Sequence, residues 1–124
     1  MAAPFIQITN LSKSYETPAG PLSVLGGIDL DIPKGDFIAL VGPSGGGKTT
    51  FLNMITGVDR PSSGDGVVDG VDVAHTSERK LTRWRGRTVG IVFQFFQLLP
   101  TLTVLKNVVA PMDFCGVHKT SERE

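Results

Sequence analysis

The sequence predicts an α/β fold in which parallel strands flanked by helices are joined to a smaller antiparallel β section. Three observations carry this reading. Phe37-Ile38-Ala39-Leu40-Val41 is an unbroken apolar run, as expected of a parallel strand buried on both faces. It leads at once into Gly42-Pro43-Ser44-Gly45-Gly46-Gly47-Lys48-Thr49-Thr50, after which Phe51, Leu52 and Ile55 recur at helical spacing. Ahead of it, Ile28, Leu30 and Ile32 alternate with Gly27, Asp29 and Asp31, so a strand with one polar face feeds the doubly buried one.

The chain opens with a modest strand signal, Ile6 and Ile8 alternating with Gln7 and Thr9. Lys13-Ser14-Tyr15 follows, then a turn-rich stretch from Thr17 to Pro21. Tyr15 is the chain's one tyrosine, and taken alone it reads as a packing residue. Pro33-Lys34-Gly35 turns the 28–32 strand into the apolar run, with proline at the second position of a turn. The helix after the glycine loop is expected over 48–57, with Gly57 as its C-terminal cap.

Residues 60–66 read as loop, and Val67-Val68, Asp69-Gly70 and Val71-Asp72-Val73 as a hairpin on a favoured two-residue turn. Ser77 is placed to cap a short polar helix over 78–85, with Leu81 and Trp84 on one side. The basic cluster Arg79, Lys80, Arg83, Arg85 and Arg87 reads as a solvated face. Val89-Gly90-Ile91-Val92-Phe93 is a second buried-strand candidate ending at Gln94. Phe95-Phe96-Gln97-Leu98-Leu99-Pro100 is apolar for a loop, and either packs on the core or meets a partner. Thr103 is placed to cap a helix carrying Val104, Leu105, Val108 and Val109, and Ser121-Glu122-Arg123-Glu124 forms a capping box announcing another.

The glycine loop carries the chemistry. Its spacing is that of a phosphate loop: glycine, four residues, then Gly-Lys-Thr. Four glycines let the backbone turn successive N–H groups inward as a concave nest for an anion. The dipole at the start of the following helix adds favourable potential for a phosphate chain. Lys48 can reach terminal phosphates as a point charge, and the Thr49 hydroxyl is placed to ligate Mg²⁺. Strand, loop and helix together predict a site for a nucleoside triphosphate.

Composition sets the frame. With 124 residues there is room for one domain of ordinary size. Twelve Lys plus Arg balance twelve Asp plus Glu, so no basic excess points to nucleic acid. No run approaches the about eighteen apolar residues of a membrane span. Met1-Ala2-Ala3-Pro4-Phe5 lacks the regions of a signal peptide. A single cysteine, Cys115, excludes an internal disulfide, and two scattered histidines do not complete a metal site with it. These features predict a soluble, cytoplasmic chain.

Asn10-Leu11-Ser12-Lys13-Ser14-Tyr15, the 42–50 loop, Gly57-Val58-Asp59-Arg60-Pro61-Ser62-Ser63-Gly64 and the stretch 89–107 match, in order and spacing, an ABC transporter ATP-binding protein. The chain resembles most the branch serving lipoprotein release and macrolide or peptide export, and the likeness covers essentially all of it. The resemblance implies ATP and Mg²⁺ as ligands. Tyr15 would stack on adenine through its π-face without need of its hydroxyl. Gly42, Pro43, Ser44, Gly45, Gly46, Gly47, Lys48, Thr49 and Thr50 would cradle the triphosphate, with Thr49 on the metal. Gln94 would touch the metal and the attacking water, a catalytic role. Phe95, Phe96, Leu98 and Leu99 would lie near the groove that receives a transmembrane permease subunit. A second ATP-binding subunit would complete a dimer on the inner face of the cell membrane.

Departures from the family pattern are equally informative. Gly66 stands where a β-branched residue is usual, which should weaken the hairpin strand. Lys106 replaces an acidic residue before Asn-Val, and Gly46 replaces a common serine in the loop. No Leu-Ser-Gly-Gly-Gln signature occurs, and no four-apolar run leads to an Asp-Glu pair. His75 and His118 do not match the family's switch histidine. Residues 1–124 are therefore expected to be the N-terminal half of a nucleotide-binding domain, ending as the helical subdomain begins and unable to hydrolyse ATP alone. A non-catalytic nucleotide-binding remnant is the alternative. A phosphate-loop kinase acting on a small molecule is a third reading, against which the hairpin and the segment after Gln94 argue.

Overall fold

The computed structural model describes residues 3–115. The chain divides after Ser77 into two compact units.

The first unit is built on a four-stranded antiparallel sheet. Its strands are β1 (Ile6–Thr17), β2 (Gly20–Ile32), β3 (Ser63–Val68) and β4 (Val71–Asp72), in the spatial order β2-β1-β3-β4. The turn-rich stretch is the tip of a long β1–β2 hairpin whose register runs from Thr17↔Gly20 to Ile6↔Ile32. Three register shifts between Ile8 and Ser14 break the ladder. Side chains satisfy groups that the ladder loses there: Asn10 N–H donates to Asp29 Oδ1 at 2.8 Å, and Gly27 N–H to Ser12 Oγ at 2.9 Å.

The hairpin turn is as the sequence predicts. Asp69 and Gly70 both have positive φ, 48° and 76°, the signature of the turn whose twist matches its strands. Gly66, where the sequence predicts a weakened strand, lies within β3. It pairs with Ile8, and a Cβ there would lie 3.2 Å from Val73 Cγ2 and 3.3 Å from Ile8 Cδ1. The missing side chain is the space into which two core residues close.

Helix α1 (Lys48–Ile55) ends as expected, with Thr56 as cap and Gly57 at φ 74°. Its buried residues, Phe51 and Met54, lie three apart on one face and pack with Ile8, Leu11 and Leu25 from the sheet. Burying such side chains is worth about 1.5–3 kcal/mol each, so this cluster is what ties α1 to the hairpin.

Residues 37–41 and 89–93 form no strand, contrary to the sequence reading. Phe37 is 99% exposed and Val92 98%. The physical reason is the absence of partners. A parallel strand exists by ladder bonds to neighbours on both sides, and among the described residues none pairs with either segment.

The second unit contains α2 (Glu78–Thr88) and α3 (Val104–Cys115). Helix α2 runs three residues beyond the expected 85, and Arg85 and Arg87 in its last turn complement the helix dipole. Its Leu81 is fully buried. Helix α3 starts where predicted, with Lys106 N–H donating to Thr103 Oγ1 at 3.2 Å. The capping box at 121–124 lies outside the described residues.

Candidate functional site

The glycine loop leaves the exposed 37–41 segment and enters α1. Gly46 N–H donates to the Pro43 carbonyl at 3.1 Å, closing a turn, and Gly45 and Gly47 have φ of 79° and 91°. Gly47 is the helix N-cap and offers no side-chain cap, so the first N–H groups of α1 point into the loop without an intrahelical partner. A Cβ at Gly47 would stand 2.9 Å from Leu25 Cδ2 and 3.1 Å from the Val24 carbonyl oxygen. Glycine is therefore required there by both space and backbone angle. Ser44, Gly45 and Gly46 are exposed.

Lys48 folds back across the loop. Its Nζ donates to the Gly42 carbonyl at 2.8 Å and to the Pro43 carbonyl at 2.6 Å, which holds the ammonium at the rim of the concavity. Thr49 is exposed beside it. Behind the loop, between β2 and α1, lies a cleft of about 260 Å³ lined by Leu25, Ile28, Leu40, Val41 and Phe51 among others. Gly42, Pro43, Gly46, Gly47 and Lys48 of the loop line its other side.

Tyr15 lies near the end of β1, about a third exposed. Its hydroxyl donates to Asp59 Oδ2 at 3.0 Å. Partial burial and then the Asp59 carboxylate push the phenol above its ordinary 10.0, while Thr50 pulls the other way. Lys13 Nζ lies 4.9 Å over the ring centroid and 3.4 Å from Asp59 Oδ1. Partial burial pushes Asp59 up, but the Arg60 N–H, the Tyr15 hydroxyl and Lys13 together hold it below its ordinary 3.8.

Through Asp59 the structure ties Tyr15 to the turn after α1. Sequence reasoning missed Lys13 and Asp59. Lys13 was legible, since residues two apart on a strand share a face. Asp59 was not, because its partner lies 44 positions away.

In the second unit Gln94 is exposed on a turn. Phe95, Phe96 and Leu98 are 77%, 80% and 69% exposed, so they pack in no core formed by the described residues. Leu98, Leu99 and Pro100 with Val104 and Val108 line a shallow cavity of about 320 Å³. Asn107 holds this loop: its Oδ1 accepts the Leu99 N–H at 2.8 Å, and its Nδ2 donates to the Thr103 carbonyl at 2.9 Å. Among the described residues no cluster of three His, Cys, Asp or Glu could hold a metal, and no helix is long and apolar enough to cross a membrane.

A glycine loop of this build, entered from an apolar segment and set beside an antiparallel sheet, defines a phosphate-loop nucleotide-binding class. The ABC transporter family model matches residues 25–124, and the chain belongs to that family. It is 44% identical over 119 residues to the ABC transporter ATP-binding protein YknY of Bacillus subtilis (strain 168), covering 96% of this chain and 52% of that one. It is 42% identical over 119 residues to the lipoprotein-releasing system ATP-binding protein LolD of Bacteroides thetaiotaomicron, with 96% and 53% covered. Among solved structures it superposes with a TM-score of 0.88, at 35% identity, on a dimeric post-hydrolysis state of the ATP-binding cassette MJ0796 bound to ADP and Pi, covering 95% of this chain and 52% of that one. The fold is that of an ABC ATPase cassette, and the chain spans about half the length of the curated relatives it matches.

Proposed function

We propose that this chain is the ATP-binding front of an ABC transporter subunit that couples nucleotide binding and hydrolysis to export across a membrane. The observation that carries the reading is the uncapped start of α1 behind a glycine nest, with the Lys48 ammonium held at its rim. Gly42 to Thr50 bind the triphosphate through backbone N–H groups, and Lys48 exchanges its carbonyl partners for phosphate oxygens. The Thr49 hydroxyl would hold the Mg²⁺ that accompanies the nucleotide, the Gln94 amide is the other expected protein donor, and the ion would shield the phosphate charge. A hydroxyl, an amide and phosphates are the hard oxygen donors that Mg²⁺ prefers to an all-protein cage. Tyr15 stacks on the base.

The exposed segment after Gln94 receives a transmembrane permease subunit, with the apolar side chains of Phe95, Phe96 and Leu98 as the contact. Two such ATP-binding subunits pair, at the cytoplasmic face of the membrane. In a chain of the relatives' full length, segments 37–41 and 89–93 gain the ladder partners they lack here. The dimeric, ADP-bound state of MJ0796 and the lipoprotein-releasing role in the name of LolD support this reading. Displacement of a fluorescent ATP analogue tests it: unlabelled Mg-ATP and Mg-tripolyphosphate should compete, and adenosine should not. Competition by adenosine with none by tripolyphosphate would place the ligand elsewhere.

A further inference from the structure

Resting on the nucleotide-binding reading above, we propose that Asp59 is a positioning residue that sets the affinity for the nucleobase by locking the Tyr15 ring against the turn after α1.

An exposed tyrosine on a strand broken by register shifts has no inherent reason to hold one orientation. Here two contacts fix it. The hydroxyl donates to Asp59 Oδ2 at 3.0 Å, and the Lys13 ammonium lies over one face of the ring, 4.9 Å from its centroid. With one face taken by the cation, a base has the opposite face on which to stack.

Asp59 is itself well held. Its Oδ1 accepts the Arg60 N–H at 2.8 Å and meets Lys13 Nζ at 3.4 Å, and its own N–H donates to the Asn53 carbonyl of α1 at 3.1 Å. Lys13 also donates to the Arg60 carbonyl at 2.7 Å, so the cation cannot leave the carboxylate without losing a second bond. The ring is thus set from the end of α1, by Asp59, whose own N–H is held by Asn53. The same helix opens the phosphate loop, so the base subsite and the phosphate subsite share one rigid reference. A ring that is already ordered loses less rotamer freedom when a base stacks on it, and that saving appears as affinity.

The alternative is that the network only staples β1 to the turn after α1. The two are separated by comparing a ligand with a base and one without. Calorimetric titration of the 124-residue chain with Mg-ATP and with Mg-tripolyphosphate should show Asp59→Ala weakening ATP about threefold to tenfold while leaving tripolyphosphate unchanged. Tyr15→Phe, which keeps the ring and removes only the hydroxyl, should reproduce the ATP loss, and the double variant should be no weaker than either single one. Asp59→Asn, which retains an oxygen acceptor, should recover most of the affinity. Unchanged ATP binding in Asp59→Ala, or equal losses for both ligands, would overturn the proposal while leaving the phosphate site standing. Wild-type protein that binds neither ligand would overturn the nucleotide reading itself.

Discussion

Gly47 lies so close under the β1–β2 hairpin that the Leu25 methyl group would stand 2.9 Å from any Cβ placed on it. The Leu25 and Val24 side chains and the Val24 carbonyl of the hairpin therefore close directly on the Gly47 backbone. Gly47→Ala combines this clash with a φ of 91°, and should destabilise the first unit by about 1–3 kcal/mol. Urea unfolding followed by circular dichroism measures it. Gly45→Ala is a useful companion, since nothing lies within 4 Å of its Cβ and only its φ of 79° opposes the change. Gly47→Ala should be the more costly of the two.

Acid should loosen the Tyr15 cluster. The carboxyl of Asp59 is held below its ordinary 3.8 in the folded chain, and so is that of Asp72, where hydrogen bonds from His75 and the Ala74 N–H outweigh the upward push of partial burial. A depressed carboxyl contributes stability that is full above its unfolded value and is lost as pH falls through the folded one. The unfolding midpoint should therefore drop as pH is lowered below 3.8, and Asp59→Asn and Asp72→Asn should each flatten that limb. Both groups are partly exposed, so each effect is modest. An acid limb as steep in both variants as in the wild type contradicts this.

Polar substitution of the segment after Gln94 should not unfold the chain. Phe95→Ser with Phe96→Ser removes two rings that are mostly in water, and the stability change should stay within about 0.5 kcal/mol. Loss of the cooperative thermal transition would show that the rings pack after all. In a chain of the relatives' full length, the same pair should uncouple transport while ATP binding persists.

The 124 residues should bind ATP without turning it over. Phosphoryl transfer needs a positioned water and stabilisation of the charge that develops on the transferring group. The loop and Gln94 offer part of this, and the sequence contains no Asp-Glu pair after an apolar run to serve as general base. Phosphate release above a Lys48→Ala control would require a base elsewhere in the chain.

The sequence was most informative where local rules act alone. The phosphate loop, the Asp69-Gly70 turn, the Thr103 cap and the Gly57 helix end depend on residues within a turn of one another, and each is found where expected. It misled at 37–41 and 89–93, because an apolar run states what a segment needs and not whether a partner is present. The space left at Gly66 was not legible for a related reason: strand propensity scores the residue alone, while Ile8 and Val73 close into its space once the sheet has formed. Asp59 was hidden because its role exists only once β1 has folded against the turn after α1.

A glycine loop that binds a nucleoside triphosphate through the Lys48 charge should fail when that charge is removed. Titrate wild-type chain and Lys48→Ala with Mg-ATP at one fixed salt concentration, with circular dichroism recorded on both. Matching spectra are expected, with a loss of affinity of about tenfold to a hundredfold in the variant, since the removed contact is a charged one. Superimposable titration curves from two equally folded proteins would contradict it.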